Sequence, residues 1–382
     1  MKKAILAFSI TCTFFMSSIS TAQDESVTQA YRMYERLACE PPTKADLAKM
    51  VDLIDEGKSV EAAQMAIETR GFYECTIKNW CLVQTNEAET KNAPLNDYCA
   101  TVIGAVRDNI PFDKLLHENI IYVSSDPSLP AYSLKDNAHY EEIQSKNLEL
   151  TKTLIKKKQT EVTGFAEASG LMTTRAFAEG FLHAGTNRRA VRHALRNYIC
   201  NDIEGLMDTT ISDYHVGRDV DRSPGGDPAD YQNNCKGCHG GMDSIRGAWA
   251  YFDFDEDTKE YIYTKGVVAK KYSVNADNYP DGYVNKDDSW KNMWLEGVNK
   301  KFGWPSDLKA GKGIQSLGKM FSKVDYLSTC MAKRTFRSVC MADEDSKPSK
   351  EIIEKMASEF KKDNYNLKKL FMKTVSACTV GI

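Results

Sequence analysis

The chain has 382 residues, of which 42% are hydrophobic and 27% charged, and its formal net charge is −3. These proportions are those of an ordinary globular protein and argue against a disordered or fibrous chain. The mildly acidic balance lacks the clustered basic surface that nucleic-acid binding requires, so no nucleic-acid partner is expected. A chain of this length can bury a substantial core and typically forms two or three domains.

Residues 1–22 have the order of a secretory signal peptide. A basic start at Lys2 and Lys3 is followed by an apolar run to Met16 and a small-x-small cleavage site ending at Ala22. The apolar run is shorter than the roughly 20 residues that cross a bilayer, so we expect cleavage after Ala22. Cleavage removes both lysines and leaves 360 residues with a net charge of −5. No later segment is apolar enough to span a membrane, so a periplasmic or secreted protein is predicted.

Ten cysteines remain after this cleavage, and unpaired thiols are a liability in an oxidising compartment. Two of them, Cys235 and Cys238, belong to the motif described below. The other eight allow up to four disulfides, and sequence alone cannot choose the pairing. Their clustering predicts that the first four pair among themselves and that the last three share a region. The eight are Cys39, Cys75, Cys81, Cys99, Cys200, Cys330, Cys340 and Cys378.

Helical periodicity dominates the first half of the chain and predicts an N-terminal helical domain over residues 23–125, followed by a helical connector over 126–200. A loop at 119–138 precedes a long solvated helix predicted at 140–160. Thr186 is predicted to cap a helix over 187–200. The other helices predicted in this half cover the stretch between Thr43 and Gly57 and residues 60–69, 73–82, 97–107, 112–118 and 175–182.

The second half begins with a segment that has the composition of a loop, and a predicted β-hairpin follows. Residues 248–254 and 261–271 alternate aromatic or β-branched residues with polar ones across an acidic turn. Asp253, Asp255 and Asp257 are spaced like calcium ligands, but threonines stand where a calcium loop needs glycine and glutamate, so we interpret them as the turn. Residues 301–382 form a C-terminal helical module. The predicted fold class is therefore mainly α, multi-helical, with a small β-hairpin insertion.

The strongest chemical signal is a C-x-x-C-H motif at Cys235, Cys238 and His239. Its spacing lets two thiols on one helical turn reach the two vinyl groups of haem while the adjacent imidazole meets the iron. A zinc site would need a second close Cys/His pair and a redox dithiol a βαβ context, and neither is present. We therefore predict a cytochrome c-like segment over 201–300, with one covalent haem c and His239 as the proximal iron ligand.

The ligand on the other side of the iron is less defined. A methionine would favour electron transfer at a raised potential, a histidine a lower potential, and an open position would permit enzyme chemistry. Met293 lies at a suitable distance along the chain and is the first candidate, ahead of Met320 and Met331. His215 is the leading histidine alternative. His183 and His193 lie in helical segments and are interpreted as structural.

The stretch Cys235-x-x-Cys238-His239-x-x-Met242-Asp243-x-x-Arg246-Gly247-Ala248-x-x-x-Phe252-Asp253 resembles the haem segment of the planctomycete-type cytochrome c proteins. Shorter similarities occur at residues 37–43, 109–116, 187–200, 326–330 and 367–371. The resemblance implies a periplasmic or surface haem protein of multi-helical, modular architecture, and it implies no substrate.

Together these observations predict an exported electron carrier that passes single electrons between redox protein partners. Two alternatives stay open. The first is a haem enzyme, either peroxidase-like or the electron-accepting subunit of a dehydrogenase, which the helical modules flanking the motif favour because they exceed what a bare carrier needs. The second is a structural protein of the cell envelope in which haem is incidental.

Overall fold

The computed structural model describes residues 11–273 and 278–379, and for residues 11–23 it describes the backbone only. The chain is 55% helical with a few short strands, which confirms the prediction of a mainly α fold. The strands are β1 (Ile121–Val123), β2 (Ile155–Lys157), β3 (Phe252–Phe254), β4 (Tyr261–Tyr263), β5 (Ser289–Lys291) and β6 (Ala310–Lys312). They form three antiparallel pairs, β1 with β2, β3 with β4 and β5 with β6.

The helices divide into three groups along the chain. The first group is α1 (Thr11–Ala38), α2 (Lys44–Asp55), α3 (Ser59–Ile67), α4 (Lys78–Leu82) and α5 (Asp97–Arg107). The second is α6 (Ala138–Ser145), α7 (Leu150–Thr153), α8 (Gln159–Thr163), α9 (Arg175–Phe181), α10 (Arg188–Tyr198), α11 (Pro228–Asp230) and α12 (Lys236–Ile245). The third is α13 (Gly313–Ser322), α14 (Tyr326–Val339), α15 (Lys347–Lys362) and α16 (Leu367–Cys378).

Only part of the predicted signal peptide lies within the described residues. Residues 1–10 lie outside the described residues, and α1 passes through the expected cleavage site at Ala22. Cleavage there stays a prediction. Within the described residues, none of the helices combines the length and the apolar character needed to cross a bilayer.

Helices from the two ends of the chain pack against each other. α1 contacts α2 and α3, and α16 contacts α3, α14 and α15. The rings of Phe72 and Phe371 meet edge to face across this junction, with centroids 5.6 Å apart. One contiguous hydrophobic core extends from Ala30 to Cys378 and includes residues of the haem-motif segment. The motif is thus supported by elements that lie far apart in sequence.

Three disulfides are present among the described residues: Cys39–Cys75, Cys200–Cys330 and Cys340–Cys378. Disulfides are typical of proteins that fold in an oxidising compartment outside the cytoplasm. α14 carries Cys330 and is followed at once by Cys340, so the last three cysteines do share a region, but Cys330 pairs with Cys200 instead of with a near neighbour.

The expectation that the first four cysteines pair among themselves is wrong for two of them. Cys81 and Cys99 are free and completely buried where α4 packs against α5. The Cys81 thiol donates to the carbonyl oxygen of Lys78 at 3.3 Å, and the Cys99 sulfur lies 4.0 Å from the same oxygen. Both thiols therefore sit in a closed, hydrogen-bonded environment without a disulfide.

The prediction of one long helix at 140–160 is also wrong. Asn147 adopts a left-handed conformation with φ 51° just after α6, and it interrupts the helix there. Further along, Ile155 pairs with Val123 in the antiparallel β1–β2 ladder, while Leu154 is completely buried. Burial of Leu154 and pairing with a strand more than thirty residues upstream override the local helical pattern.

The cap expected at Thr186 is replaced by a different start for α10. Asn187 occupies the position before the helix with φ 60°, and α10 begins at Arg188. The Thr186 hydroxyl instead accepts a hydrogen bond from Arg246. A long-range polar contact has thus taken the hydroxyl that the sequence pattern assigned to the helix end.

The β-hairpin prediction is confirmed with shorter strands. In β3 and β4, Phe252 lies opposite Tyr263 and Phe254 opposite Tyr261. The Asp255 carboxylate accepts hydrogen bonds from the backbone N–H groups of Asp257 and Thr258, at 3.0 and 2.9 Å, and so closes the turn. Residues 248 and 249, predicted as the start of the first strand, belong instead to a 3₁₀ turn over Arg246–Trp249.

Candidate haem site

The C-x-x-C-H motif lies on a continuous helical segment. A π-helical turn covers Tyr231–Cys235, and α12 follows directly. Cys235 and Cys238 are half-buried, and neither takes part in a disulfide. Cys235 packs against a small apolar cluster of Val216, Val220 and Tyr231. Cys238 borders the main core, and burial raises the pKa of its thiol. Both sulfurs therefore lie within one turn of the helix and are free to form thioether bonds.

Glycines let neighbouring segments approach α12 closely. A Cβ atom on Gly237 would lie 2.6 Å from Cγ of Met207, and one on Gly241 would lie 2.1 Å from Cε2 of Trp294. Both distances are far below van der Waals contact. A side chain at position 241 would therefore overlap a rigid indole ring, whereas one at position 237 would require the side chain of Met207 to move. Trp294 is completely buried. These contacts fix the helix between the loop at 207–212 and the chain that follows β5.

The imidazole of His239 has a defined orientation. Its Nδ1 lies 3.2 Å from Oδ1 of Asp243, one turn later on the same helix. An ionised carboxylate can only accept hydrogen bonds, so Nδ1 carries the proton and donates it to Asp243. Nε2 is then the ring nitrogen with a free lone pair. With a side chain 25% exposed, His239 can present Nε2 to a ligand outside the helix.

Asp243 is held by a buried set of donors. Its Oδ1 accepts from Nε of Arg188 at 2.6 Å, and its Oδ2 accepts from Nη2 of Arg188 at 2.7 Å and from the N–H of Gly217 at 2.9 Å. Burial by itself would raise the pKa of Asp243, but the guanidinium groups of Arg246 and Arg188 hold it well below its ordinary value. The carboxylate therefore remains ionised although its side chain is fully buried.

The arginines are themselves paired with a second aspartate. Arg188 contacts both oxygens of Asp219, at 2.5 and 2.8 Å, and Arg246 lies 3.9 Å from Asp219. Burial acts to lower the pKa of Arg188, but Asp243 and Asp219 raise it above its usual value. Two positive and two negative groups thus balance one another beside His239. Removal of one partner from such a buried set typically costs about 3–5 kcal/mol.

Sequence reasoning did not identify this network as part of the site. Only one feature was visible in advance, the spacing of four residues between His239 and Asp243, which places two side chains on one face of a helix. Arg188 and Asp219 come from other segments, and no local pattern indicates that they meet Asp243.

Two candidate distal ligands, Met293 and His215, lie near the helix that carries the motif, and the structure favours neither over the other. Met293 is half-buried and precedes Trp294, which packs on Gly241 of α12. His215 lies two residues before Gly217, whose N–H binds Asp243. Met293 and His215 both remain predictions.

His215 has an unusual environment. Its ring contacts the rings of Tyr214 and Tyr283, with centroids 5.1 and 4.9 Å away, and the two tyrosine rings also contact each other at 5.9 Å. Burial, with a smaller contribution from Lys291, lowers the pKa of His215. Its Nδ1 is buried, and no hydrogen-bond partner for it exists among the described residues.

The other candidates occupy structural positions. Met320 and Met331 are completely buried in the main core, and the Met320 sulfur contacts the side-chain amide of Asn292 at 3.8 Å. His193 stacks on Phe181 with ring centroids 4.0 Å apart, and burial lowers its pKa to about 4. His183 contacts the backbone oxygen of Glu179 at 2.7 Å.

Exposed apolar side chains are concentrated in the segment that carries the motif. Residues 201–300 hold five of the nine large hydrophobic side chains that are exposed within the described part of the chain. Met207, next to Gly237, is 48% exposed, and Tyr214 is 72% exposed. Free thiols on one helical turn, an available Nε2 and exposed apolar side chains fit a covalently attached haem.

A cavity of about 680 Å³ lies on the same segment. Its walls include Tyr214 and Tyr283, the two rings that contact His215, together with Asp213. Arg222 completes one wall, with its guanidinium between the rings of Tyr231 and Tyr279 at 4.7 and 4.6 Å. The cavity combines aromatic surfaces with charges of both signs.

Comparison with known proteins provides no further assignment. No protein-family model, curated protein or solved structure matches this chain. The functional conclusion therefore depends on the residues of the site itself.

Proposed function

We propose that this protein is an exported c-type cytochrome, periplasmic or secreted, which transfers single electrons between redox proteins of the cell envelope. Its own residues supply the attachment. Cys235 and Cys238 would form the two thioether bonds, and His239 would bind the iron through Nε2. The bound haem would supply a reversible one-electron couple.

The observation that best supports this proposal is the hydrogen bond from Nδ1 of His239 to Asp243. Histidines that bind metals usually donate their other ring N–H to a carboxylate or carbonyl group, which fixes the tautomer and the ring orientation. His239 has this arrangement, with 3.2 Å between Nδ1 and Oδ1. The three disulfides are in keeping with export, because such bonds persist outside the cytoplasm.

A haem enzyme is the second candidate. The cavity of about 680 Å³ lined by Tyr214 and Tyr283 favours it, since substrate sites are typically concave and combine apolar walls with a few polar groups. A dedicated electron carrier does not need a cavity of this size. The distal position decides between the two candidates, because Met293 or His215 would close it, whereas an enzyme would leave it open.

The test is the visible spectrum of the full chain produced in a host with cytochrome c maturation, oxidised and reduced, with and without carbon monoxide. A low-spin spectrum unaffected by carbon monoxide supports the electron carrier. A high-spin spectrum that shifts with carbon monoxide supports the enzyme. Absence of haem absorption would refute both candidates.

Cysteine variants provide the matched control. Cys235→Ala/Cys238→Ala should abolish covalent haem, measured as haem that stays with the denatured polypeptide. Cys81→Ala/Cys99→Ala removes another pair of cysteines outside the disulfides and should retain it. Equal loss of haem in both variants would contradict the assignment of the attachment cysteines.

A further inference from the structure

The buried carboxylate of Asp243, next to His239, is held by more hydrogen bonds than a side chain on a helix surface usually makes. Four contacts involve its two oxygens: Nε and Nη2 of Arg188, the N–H of Gly217 and Nδ1 of His239. Each oxygen is engaged by two of them, so the carboxylate cannot rotate away from the imidazole without breaking charge-assisted hydrogen bonds. Its position relative to His239 is therefore preorganised.

We propose that Asp243 is a positioning residue that strengthens His239 as an electron donor and thereby holds the reduction potential of the site low. Asp243 can act in this way only if the proposed function holds and His239 binds haem iron. A carboxylate that accepts a hydrogen bond from Nδ1–H raises the basicity of the ligating nitrogen Nε2. A more basic ligand stabilises the more positively charged, oxidised iron and so disfavours reduction.

The surrounding charges explain how the carboxylate can have this effect. Arg188 pairs with both oxygens of the buried Asp243, Arg246 lies 4.0 Å from it, and Asp219 balances the second arginine charge. Arg188 is thus shared between the two aspartates, and Oδ1 of Asp243 accepts from both Nε of Arg188 and Nδ1 of His239. A neutral acceptor such as a backbone carbonyl would polarise the ring less, because hydrogen bonds to a charged partner are stronger.

A purely structural role is the competing explanation, in which Asp243 only anchors Arg188. Asp219 offers a matched control, because it binds the same arginine through both oxygens and makes no hydrogen bond to His239 in the described structure. Asp243→Asn and Asp219→Asn each remove one negative charge from the same network. Only Asp243→Asn changes the group that accepts the hydrogen bond from Nδ1 of His239.

The experiment is a potentiometric titration of the haem-loaded full chain and of both variants, with haem content measured in parallel. Removal of such a partner of a metal ligand typically costs 10- to 100-fold in metal affinity or activity. We expect Asp243→Asn to shift the ratio of reduced to oxidised protein about tenfold toward the reduced form, which is about 59 mV for a one-electron couple. Asp219→Asn should shift it clearly less.

The outcomes separate this inference from the proposed function. A wild-type chain without haem refutes the proposed function itself. Haem-loaded variants with equal shifts, or with no shift, overturn the role of Asp243 and leave the cytochrome intact. If Asp243→Asn does not accumulate, Arg188→Lys replaces it. Lysine keeps the charge but cannot hold the carboxylate through two parallel bonds, so Asp243 loses its fixed position behind His239 and the potential should differ from that of the wild type; an unchanged potential overturns the inference.

Discussion

The Cys200–Cys330 disulfide closes a much longer loop than the other two disulfides described. Its cysteines are separated by 130 residues, against 38 for Cys340–Cys378. Loop-closure entropy in the unfolded chain grows with the logarithm of loop length, which gives about 5 kcal/mol for the longer loop and about 4 kcal/mol for the shorter one. We therefore expect Cys200→Ala/Cys330→Ala to lower the free energy of unfolding by about 1 kcal/mol more than Cys340→Ala/Cys378→Ala.

The two disulfide variants can be compared directly, because each pair has one cysteine in α14 or in the residue that follows it and both variants lose the same atoms. The assay is equilibrium unfolding in guanidinium chloride, followed by circular dichroism of the helices, with all proteins in the same haem state. A loss in the Cys340/Cys378 variant that equals or exceeds the loss in the Cys200/Cys330 variant would refute the loop-entropy reasoning. So would a loss below about 2 kcal/mol in the latter, since native disulfides typically contribute more.

Three further predictions concern the packing, the thiols and the pH dependence. Gly241→Ala should destabilise the protein by about 1–3 kcal/mol, measured by thermal unfolding, because its Cβ would overlap Trp294; an unchanged melting temperature would contradict this contact. In the haem-loaded protein, alkylation followed by mass spectrometry should label Cys81 and Cys99 only after denaturation; no labelling at all would reveal a fourth disulfide. Because burial lowers the pKa of His193 to about 4, the unfolded chain binds its proton first on acidification. The stability should therefore decrease as the pH falls from about 6.5 to about 4, and a His193→Phe variant with an equally steep decrease would disprove the assignment.

Many local elements of the fold could be predicted because their causes are local. Thr43 caps α2 by accepting the N–H of Asp46 at 3.1 Å, and Asn96 caps α5 by accepting the N–H of Cys99 at 3.0 Å. Such contacts span only three residues and appear directly in the sequence pattern. The β3–β4 hairpin also follows from alternation of side chains on either side of a short turn.

The failures have a common physical origin in contacts between distant residues. Residues 154–157 carry a helical pattern, but burial of Leu154 and pairing of Ile155 with Val123 decide their conformation. Thr186 is a residue type that commonly caps helices, but its hydroxyl accepts a hydrogen bond from Arg246 instead. In each case a partner more than thirty residues away offers a better interaction than the local one, and the sequence pattern contains no information about that partner.

The sequence by itself determined the mainly α fold class and placed two thiols and an imidazole on one turn of a helix, because helix geometry alone sets those distances. Only the tertiary structure decided what stands behind the imidazole. Arg188 on α10 pairs with Asp243 on α12 and with Asp219 in the chain between α10 and α11, through packing of segments that are separated along the chain. The environment that would tune the chemistry of His239 therefore arises from the fold, since buried charges are stable only where folding brings all their partners together.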